Sequence, residues 1–249
     1  MDSLDWSEFE AKLRSFLVVD HLHKVFTPNA EILLEGRRDP VYRDCLNQGD
    51  LNIPDGVSIL FANRLIHFLN KFSAQLLNTK VDQKIKNRLP GVDALELLCS
   101  IATAEGKRVL FFGAGPGVAE RAAQMMAGKY PGLVVKGIDP GPVDLSSTMN
   151  IDSIKDFAPD IMAVALGHGK QERFICSVLP TVPSVKIAIG IGGALDYISG
   201  NVRRAPMWMR RLGLEWLYRL IREPRRIKRI FNAVVVFPLA VILDRIKAL

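Results

Sequence analysis

Residues 109–130 have the sequence VLFFGAGPGVAERAAQMMAGKY, in which an apolar run, a glycine-rich turn and a helical pattern follow one another. Four consecutive apolar residues that end at glycine are typical of a buried β-strand. A strand followed by a tight turn and a helix is the first half of a βαβ unit, and the second strand of such a unit runs parallel to the first. This stretch therefore predicts an α/β fold.

The same succession recurs along the chain. Apolar runs at residues 134–138, 161–166 and 187–191 predict further strands, and helical patterns follow the last two. The run at residues 57–61, after Pro54-Asp55-Gly56, predicts another strand, and residues 64–87 predict an extra helix plus a loop. We expect a Rossmann-like, mostly parallel sheet flanked by helices on both faces.

The charge of the chain is concentrated in its last 47 residues, which hold 12 Lys/Arg and 3 Asp/Glu in a chain whose net charge is +7. This contrast predicts a catalytic α/β domain at residues 1–202 and a basic amphipathic appendage at residues 203–249. Apolar residues at helical spacing from Met209 to Ile221 predict one helix, which Pro224 ends or kinks. Arg-rich helices with tryptophan on an apolar face suit an anionic membrane surface.

The remaining composition bears on location and cofactors. The N-terminal residues do not resemble a secretory signal, and no apolar run reaches the roughly 18 residues of a membrane span. Cys45, Cys99 and Cys176 are far apart, so we expect reduced thiols in a cytoplasmic protein that lies peripherally at the inner face of the cell membrane. His21 and His23 suggest no third ligand, so neither a metal site nor a cofactor is expected.

The glycine-rich turn is the first motif with chemical potential. Gly113, Gly115 and Gly117 would let backbone N–H groups approach an anionic ligand at a helix N-terminus, although a tight turn alone also explains them. Asp139 lies 22 residues beyond Gly117, near the spacing of a ribose-binding carboxylate, which leaves an NAD(P)-dependent oxidoreductase as an alternative.

Three further motifs each have a structural and a functional interpretation. Asp55 is either a turn former or a general base. Lys170 and Gln171 either begin a polar helix or contact a phosphate and a sugar. The sequence TPNAE at residues 27–31 resembles a helix start, which capping explains by itself.

Taken in order, the motifs TPNAEILLEGRRDP, NIPDGVSIL, RLPGVDALELL, VLFFGAGPGVAERAA, ALGHGKQERFI and IGIGGALDYISGNVRRAPMW resemble the WecG/TagA/CpsF family of bacterial glycosyltransferases (glycosyltransferase family 26). The resemblance covers about residues 26–229. It implies an inverting, metal-independent transfer of an N-acetylmannosamine-type sugar or a related hexose from a UDP-sugar to a sugar on a polyprenyl diphosphate. The products of such enzymes enter wall teichoic acid, capsule or exopolysaccharide.

The resemblance also assigns roles to residues. Asp55 would be the general base, and Thr27 and Asn29 would line its pocket. Arg88 would face the donor diphosphate, Gln171 and Lys170 would bind substrate, and the three glycines would give room to the nucleotide. In the tail, the arginines expected to meet the lipid diphosphate or the membrane are Arg219, Arg222 and Arg225.

The expected partners are therefore a UDP-sugar, a lipid-linked acceptor and an anionic membrane surface, and a homo-oligomer is left open. A nucleic-acid binder is the non-enzymatic alternative. We disfavour it because the basic residues flank a long aliphatic stretch, which nucleic acid does not require.

Overall fold

The computed structural model describes residues 1–77, 85, 87–141 and 149–247. Their strands are β1 (His23–Phe26), β2 (Leu51–Asn52), β3 (Arg108–Gly113), β4 (Val134–Ile138), β5 (Ile161–Ala165) and β6 (Ile187–Gly190). Their helices are α1 (Trp6–Val18), α2 (Ala30–Arg38), α3 (Pro40–Asn47), α4 (Val57–Leu77), α5 (Gly91–Glu105), α6 (Val118–Lys129), α7 (Met149–Phe157), α8 (Lys170–Ser177), α9 (Ala194–Ile198), α10 (Met207–Arg211), α11 (Glu215–Arg222), α12 (Ile227–Phe231) and α13 (Phe237–Lys247). A π-helical segment, Asn232–Val236, joins α12 to α13.

The described strands form one six-stranded sheet in the order β2-β1-β6-β5-β3-β4, and every pair is parallel. The predicted α/β class is confirmed, and the strands predicted at residues 109–112, 134–138, 161–166 and 187–191 correspond to β3, β4, β5 and β6. The glycine-rich turn at residues 113–117 connects β3 to α6, as predicted.

Two apolar cores cover the two faces of the sheet. Along β3, Val109 and Phe111 pack in a core with residues of α1, α5, α6 and α9, whereas Leu110 and Phe112 pack on the opposite face with residues of α3, α7 and α8. Successive side chains of a strand point to opposite faces, so a strand covered on both sides must be apolar at every position. This explains the uninterrupted VLFF run.

The strand predicted at residues 57–61 is wrong, because these residues begin α4. Ile59 and Ala62 are buried three residues apart and pack against Ala30 and Phe237 in a third apolar cluster. A five-residue apolar run cannot distinguish this helical spacing from a buried strand. The extra helix predicted within residues 64–87 extends to Leu77, and most of the loop predicted after it lies outside the described residues.

The tail consists of several helices that pack on the sheet domain. The single helix predicted from Met209 to Ile221 is wrong, because Gly213 (φ 72°) ends α10 in a left-handed conformation and α11 begins at Glu215. The predicted break at Pro224 is confirmed. Phe237 is buried in the cluster with α2 and α4. Within the described residues, no helix combines the length and the hydrophobicity needed to cross a bilayer.

The expectation that all three cysteines are reduced is wrong for one pair. Cys45 in α3 and Cys176 in α8 form a disulfide, with Cα atoms 6.2 Å apart. The two residues are 131 positions apart in sequence and meet because both helices cover the same face of the sheet. Cys99 is a buried thiol, and burial raises its pKa to about 12.

Close contact between β4 and α6 gives a test of the fold. A Cβ atom on Gly137 would overlap the backbone of Ala119 and Glu120, whereas one on Gly128 in α6 would meet nothing within 4 Å. We expect Gly137→Ala to lower the free energy of unfolding by about 1–3 kcal/mol, the usual cost of overpacking. The control Gly128→Ala should be neutral or slightly stabilising. Equal urea midpoints for the two variants would contradict this packing.

Candidate active site

The motifs singled out in the sequence meet at one edge of the sheet. Thr27 follows β1, Asp55 lies between β2 and α4, Gly113 ends β3, and Gln171 and Gly192 follow β5 and β6. Because all six strands are parallel, the loops at their carboxyl ends lie side by side, which is where open α/β sheets bind ligands. Three cavities that share wall residues open along this edge.

The central cavity has a volume of about 250 Å³ and mostly polar walls. It receives side chains from the strand ends and from the basic tail. Its polar and charged wall residues include Thr27, Asn29, Asp55, Arg88, Gln171, Tyr197, Arg204, Glu215, Arg219 and Arg229.

Asp55 stands between the central cavity and a second, outer cavity, and lines both. Its backbone N–H donates to the carbonyl of Pro28 at 3.2 Å, and the N–H of Gly91 donates to its Oδ1 at 3.3 Å. Burial raises the pKa of the Asp55 carboxyl, although the positive charges of Arg88 and Arg219 oppose the increase. A carboxylate with a raised pKa is a better proton acceptor.

Thr27 and Asn29 form the wall beside Asp55. The hydroxyl of Thr27 is buried and donates to the carbonyl of Gly190 at 2.7 Å, which ties β1 to β6. The Oδ1 of Asn29 accepts from the N–H groups of Glu31 and Ile32, so this residue caps α2, as the TPNAE sequence predicts. Capping uses the oxygen of Asn29 and leaves its amide nitrogen as the group that can contact a ligand.

Glu215, from the tail, gathers three arginines at the central cavity. Its carboxylate is buried and lies 2.5 Å from Arg88, 3.7 Å from Arg204 and 4.0 Å from Arg219. Burial opposes the ionisation of Glu215, but the hydrogen bond from Arg88 and the surrounding positive charges outweigh it and lower its pKa. Arg88 therefore lines the central cavity, held there by a tail carboxylate that the sequence did not single out.

Gln171 supports the loop after β6. Its Oε1 accepts from the N–H of Gly192 at 2.9 Å, and its Nε2 donates to Glu172 at 2.8 Å. Tyr42 donates its hydroxyl to the other oxygen of Glu172 at 3.0 Å, and burial raises the pKa of this carboxyl. Gln171 thus lines the central cavity while it fixes the backbone opposite Thr27.

A third cavity, which we call the inner cavity, has a volume of about 400 Å³ and lies beside the glycine-rich turn. It shares Gly167, Gly192 and Asp196 with the central cavity, and Lys170 lies on its exposed rim. A cationic side chain at this end is suited to a phosphate.

The glycines of the turn shape it and do not line the inner cavity themselves, since Ala114 is the residue of the turn that does. Gly113 has φ 108°, and a Cβ atom there would lie 2.8 Å from the backbone of Ala165. Gly117 has φ 71° and precedes α6. Only glycine adopts these conformations without strain, so Gly113 and Gly117 allow the turn to form. Gly115 is not required by a positive φ.

The outer cavity, of about 400 Å³, lies between α4 and the tail. The end of the outer cavity that adjoins the central cavity is polar. The two cavities share Asn29, Asp55, Arg88, Glu215, Arg219 and Arg229. The rest of the wall of the outer cavity is largely apolar and includes Val57, Phe61, Trp216, Ile230, Ala233, Val234 and Pro238.

The three predicted tail arginines lie in different settings. Arg219 lines both the central and the outer cavity and stacks over Tyr197 at 5.0 Å. Arg222 and Arg225 are exposed and do not line these cavities. The arginines that the sequence reasoning missed are Arg204 and Arg229, and Arg229 pairs with Glu31 at 2.5 Å. Arg204 lies in the quoted motif NVRRAP, which was the available signal.

Among the described residues, one group of His, Cys, Asp or Glu side chains could share a metal ion, and it is formed by His21, His23 and Asp50. Asp50 is the third possible ligand, which the sequence did not suggest. It immediately precedes β2 and lies 3.5 Å from His23. The group lies at the amino end of β1, opposite the edge that carries the cavities.

Comparison with known proteins identifies the family of the chain. The whole chain, residues 1–249, matches the profile of the Glycosyl transferase WecG/TagA/CpsF family, and the chain belongs to that family. It is a glycosyltransferase by this membership.

Among curated proteins, the chain is 33% identical over 208 residues to an N-acetylglucosaminyldiphosphoundecaprenol N-acetyl-beta-D-mannosaminyltransferase of Bacillus subtilis (strain 168). This alignment covers 84% of this chain and 75% of the relative. The chain is 26% identical over 231 residues to the enzyme of the same name from Staphylococcus aureus (strain MW2), in an alignment that covers 92% and 84%. These matches give no support to the alternative of an NAD(P)-dependent oxidoreductase. Asp139, the residue on which that alternative relied, accepts a hydrogen bond from Gly141 in its own turn.

The raised pKa of Asp55 predicts a stability effect. A buried carboxyl with a raised pKa favours the folded state when protonated, so its contribution decreases as pH rises from the ordinary carboxyl pKa through the raised one. We expect Asp55→Asn to raise the free energy of unfolding at pH 7, and the gain to disappear near pH 3.5. Urea unfolding at both pH values tests this. A variant that is less stable than wild type at pH 7 would show that the arginines outweigh burial.

Proposed function

We propose that this chain transfers an N-acetylmannosamine-type sugar, with inversion, from a UDP-sugar to a saccharide carried on a polyprenyl diphosphate. The observation that carries the proposal is the position of Asp55, at the junction of a polar cavity and a partly apolar cavity and within the field of Arg88 and Arg219. The names of the relatives support N-acetylmannosamine as the sugar and N-acetylglucosamine on diphosphoundecaprenol as the acceptor. The pathway would be the synthesis of a cell-surface polysaccharide.

The reaction would be a single displacement. The acceptor hydroxyl attacks the anomeric carbon of the donor sugar as the bond from that carbon to the UDP oxygen breaks. Asp55 accepts the hydroxyl proton, and UDP leaves with its negative charge. Thr27 and Asn29 would hold the reacting sugars beside Asp55, because both line the central cavity.

The arginines would stabilise the charge that develops on the leaving diphosphate. Arg88, Arg204 and Arg219 converge on the central cavity and are fixed by Glu215 before substrate binds. Cations placed in advance where charge develops contribute more than those that must reorganise. No step of this scheme requires a metal ion or a cofactor.

The nucleotide would occupy the inner cavity, next to the glycine-rich turn and Lys170. This cavity continues into the central cavity through Gly167, Gly192 and Asp196, which supports a donor that spans both. Gly113 and Gly117 would then act by shaping the turn, and Gln171 by fixing Gly192 beside the sugar.

We propose that residues 203–249 form an appendage to a catalytic domain at residues 1–202. This appendage would attach the enzyme to the anionic inner face of the cell membrane. Large apolar side chains of the tail are exposed, among them Trp208 (59%), Leu212 (67%) and Ile221 (68%). Arg222 and Arg225 are exposed nearby in sequence. Exposed apolar and cationic groups together favour binding to anionic lipid without spanning.

Removal of the proposed general base, Asp55, should slow sugar transfer. We expect Asp55→Asn to lower the rate of sugar transfer by about 10²–10⁴, the usual contribution of a general base. Product mass after incubation with UDP-N-acetylmannosamine and a GlcNAc-diphosphate lipid measures it. The matched control is Asp152→Asn on the exposed surface of α7. Wild-type turnover in Asp55→Asn would remove Asp55 from this role.

Charge reversal tests the tail. Each Lys or Arg near anionic lipid contributes about 1 kcal/mol, so Arg222→Glu with Arg225→Glu should weaken binding to phosphatidylglycerol vesicles by at least about 30-fold. The control Arg121→Glu, on the exposed face of α6, should leave binding nearly unchanged. Sedimentation with vesicles measures both. Equal binding by the double variant and wild type would argue against a membrane contact at these residues.

A further inference from the structure

The outer cavity is polar at one end and apolar at the other. Its polar end carries Asp55 together with Arg88, Arg219 and Arg229, and is shared with the central cavity. Away from that end, its wall is built by Phe61 of α4 and by apolar residues of α11 to α13. A ligand that fills it must therefore place an anionic group beside the arginines and a hydrocarbon chain along α4 and the tail.

The apolar part of the outer cavity is open to solvent. Phe61 is 57% exposed, Trp216 39% and Val234 50%, although all three line the cavity. Further exposed apolar residues of the tail include Phe231 in α12 (56%) and Leu239 in α13 (54%). Large apolar side chains left open to water in one region mark a surface that binds lipid or another apolar partner.

We infer that the outer cavity binds the isoprene units next to the diphosphate of the acceptor lipid, as a corridor from the membrane surface to Asp55. The inference rests on the proposed function for the identity of the lipid. The polyprenyl chain is the occupant that fits best, since a peptide or a second copy of this chain would not require arginines at the polar end. A volume of about 400 Å³ lies within the range of small-molecule sites, roughly 300–1,000 Å³.

The corridor assigns a function to two segments that the sequence motifs left unexplained. The long helix α4, which begins two residues after Asp55, provides one wall. The apolar run at residues 230–243 provides the other, with Ile230, Ala233, Val234 and Pro238 on the cavity. The same run is buried on a different side, where Phe237 and Ala240 pack against Ile59 and Ala62. The tail thus closes the corridor by packing on α4.

Neighbouring valines in the π-helical segment allow a matched test. Val234 lines the outer cavity, whereas Val235 is 37% exposed and does not. Val234→Trp should fill the corridor, and Val235→Trp adds the same side chain outside it. Binding of farnesyl diphosphate and of methyl diphosphate is measured by calorimetry for wild type and both variants, so that the measurement does not depend on catalysis.

We expect wild type and Val235→Trp to bind farnesyl diphosphate at least about tenfold more tightly than methyl diphosphate, and Val234→Trp to lose this preference. Equal affinity of wild type for the two ligands, or equal losses in both tryptophan variants, would overturn the inference. Sugar transfer to a GlcNAc-diphosphate lipid is assayed separately. Absence of transfer by wild type would contradict the proposed function, while the binding results would still decide whether the corridor exists.

Discussion

The parallel direction of all six strands is the constraint on which the site depends. It places the turns after β1, β2, β3, β5 and β6 at one edge, although they are far apart in sequence. The hydrogen bond from Thr27 to Gly190, for example, joins residues that are 163 positions apart. Two apolar cores, one on each face, keep the strands in this arrangement. The polar residues at the edge therefore need little local structure of their own to meet.

The buried carboxylate of Glu215 is the second determinant, because it joins the tail to the catalytic edge. A carboxylate this deeply buried is costly unless cations surround it, and here Arg88 from the sheet domain and Arg204 and Arg219 from the tail do so. Two of these arginines, Arg88 and Arg219, also act to lower the pKa of Asp55 and thereby oppose the effect of burial. The tail is in this way part of the electrostatics of the site as well as the proposed membrane attachment.

Much of the fold followed from the sequence, since buried parallel strands such as VLFF are apolar at every position. The run at residues 57–61 was misassigned because five apolar residues fit a helix as well as a strand, and only contacts with Phe237 and Ala240 decide. For the site, Asp55, Thr27, Asn29 and Arg88, which line the central cavity, were singled out through the order of the motifs. Glu215, Arg204 and Arg229 were not, because their roles depend on how the tail packs. The disulfide of Cys45 and Cys176 likewise joins residues whose spacing carries no signal.

In the proposed mechanism Asp55 is a base whose pKa is raised by burial and moderated by a tail arginine. The most direct measurement is the pH dependence of kcat/KM for wild type and Arg219→Gln. A base must be ionised, so kcat/KM should fall as pH decreases through the pKa of Asp55, above the ordinary carboxyl range. Removal of the Arg219 charge should move this acidic limb to higher pH. An acidic limb at the same pH in both enzymes would contradict the role of Asp55 as a base under the influence of Arg219.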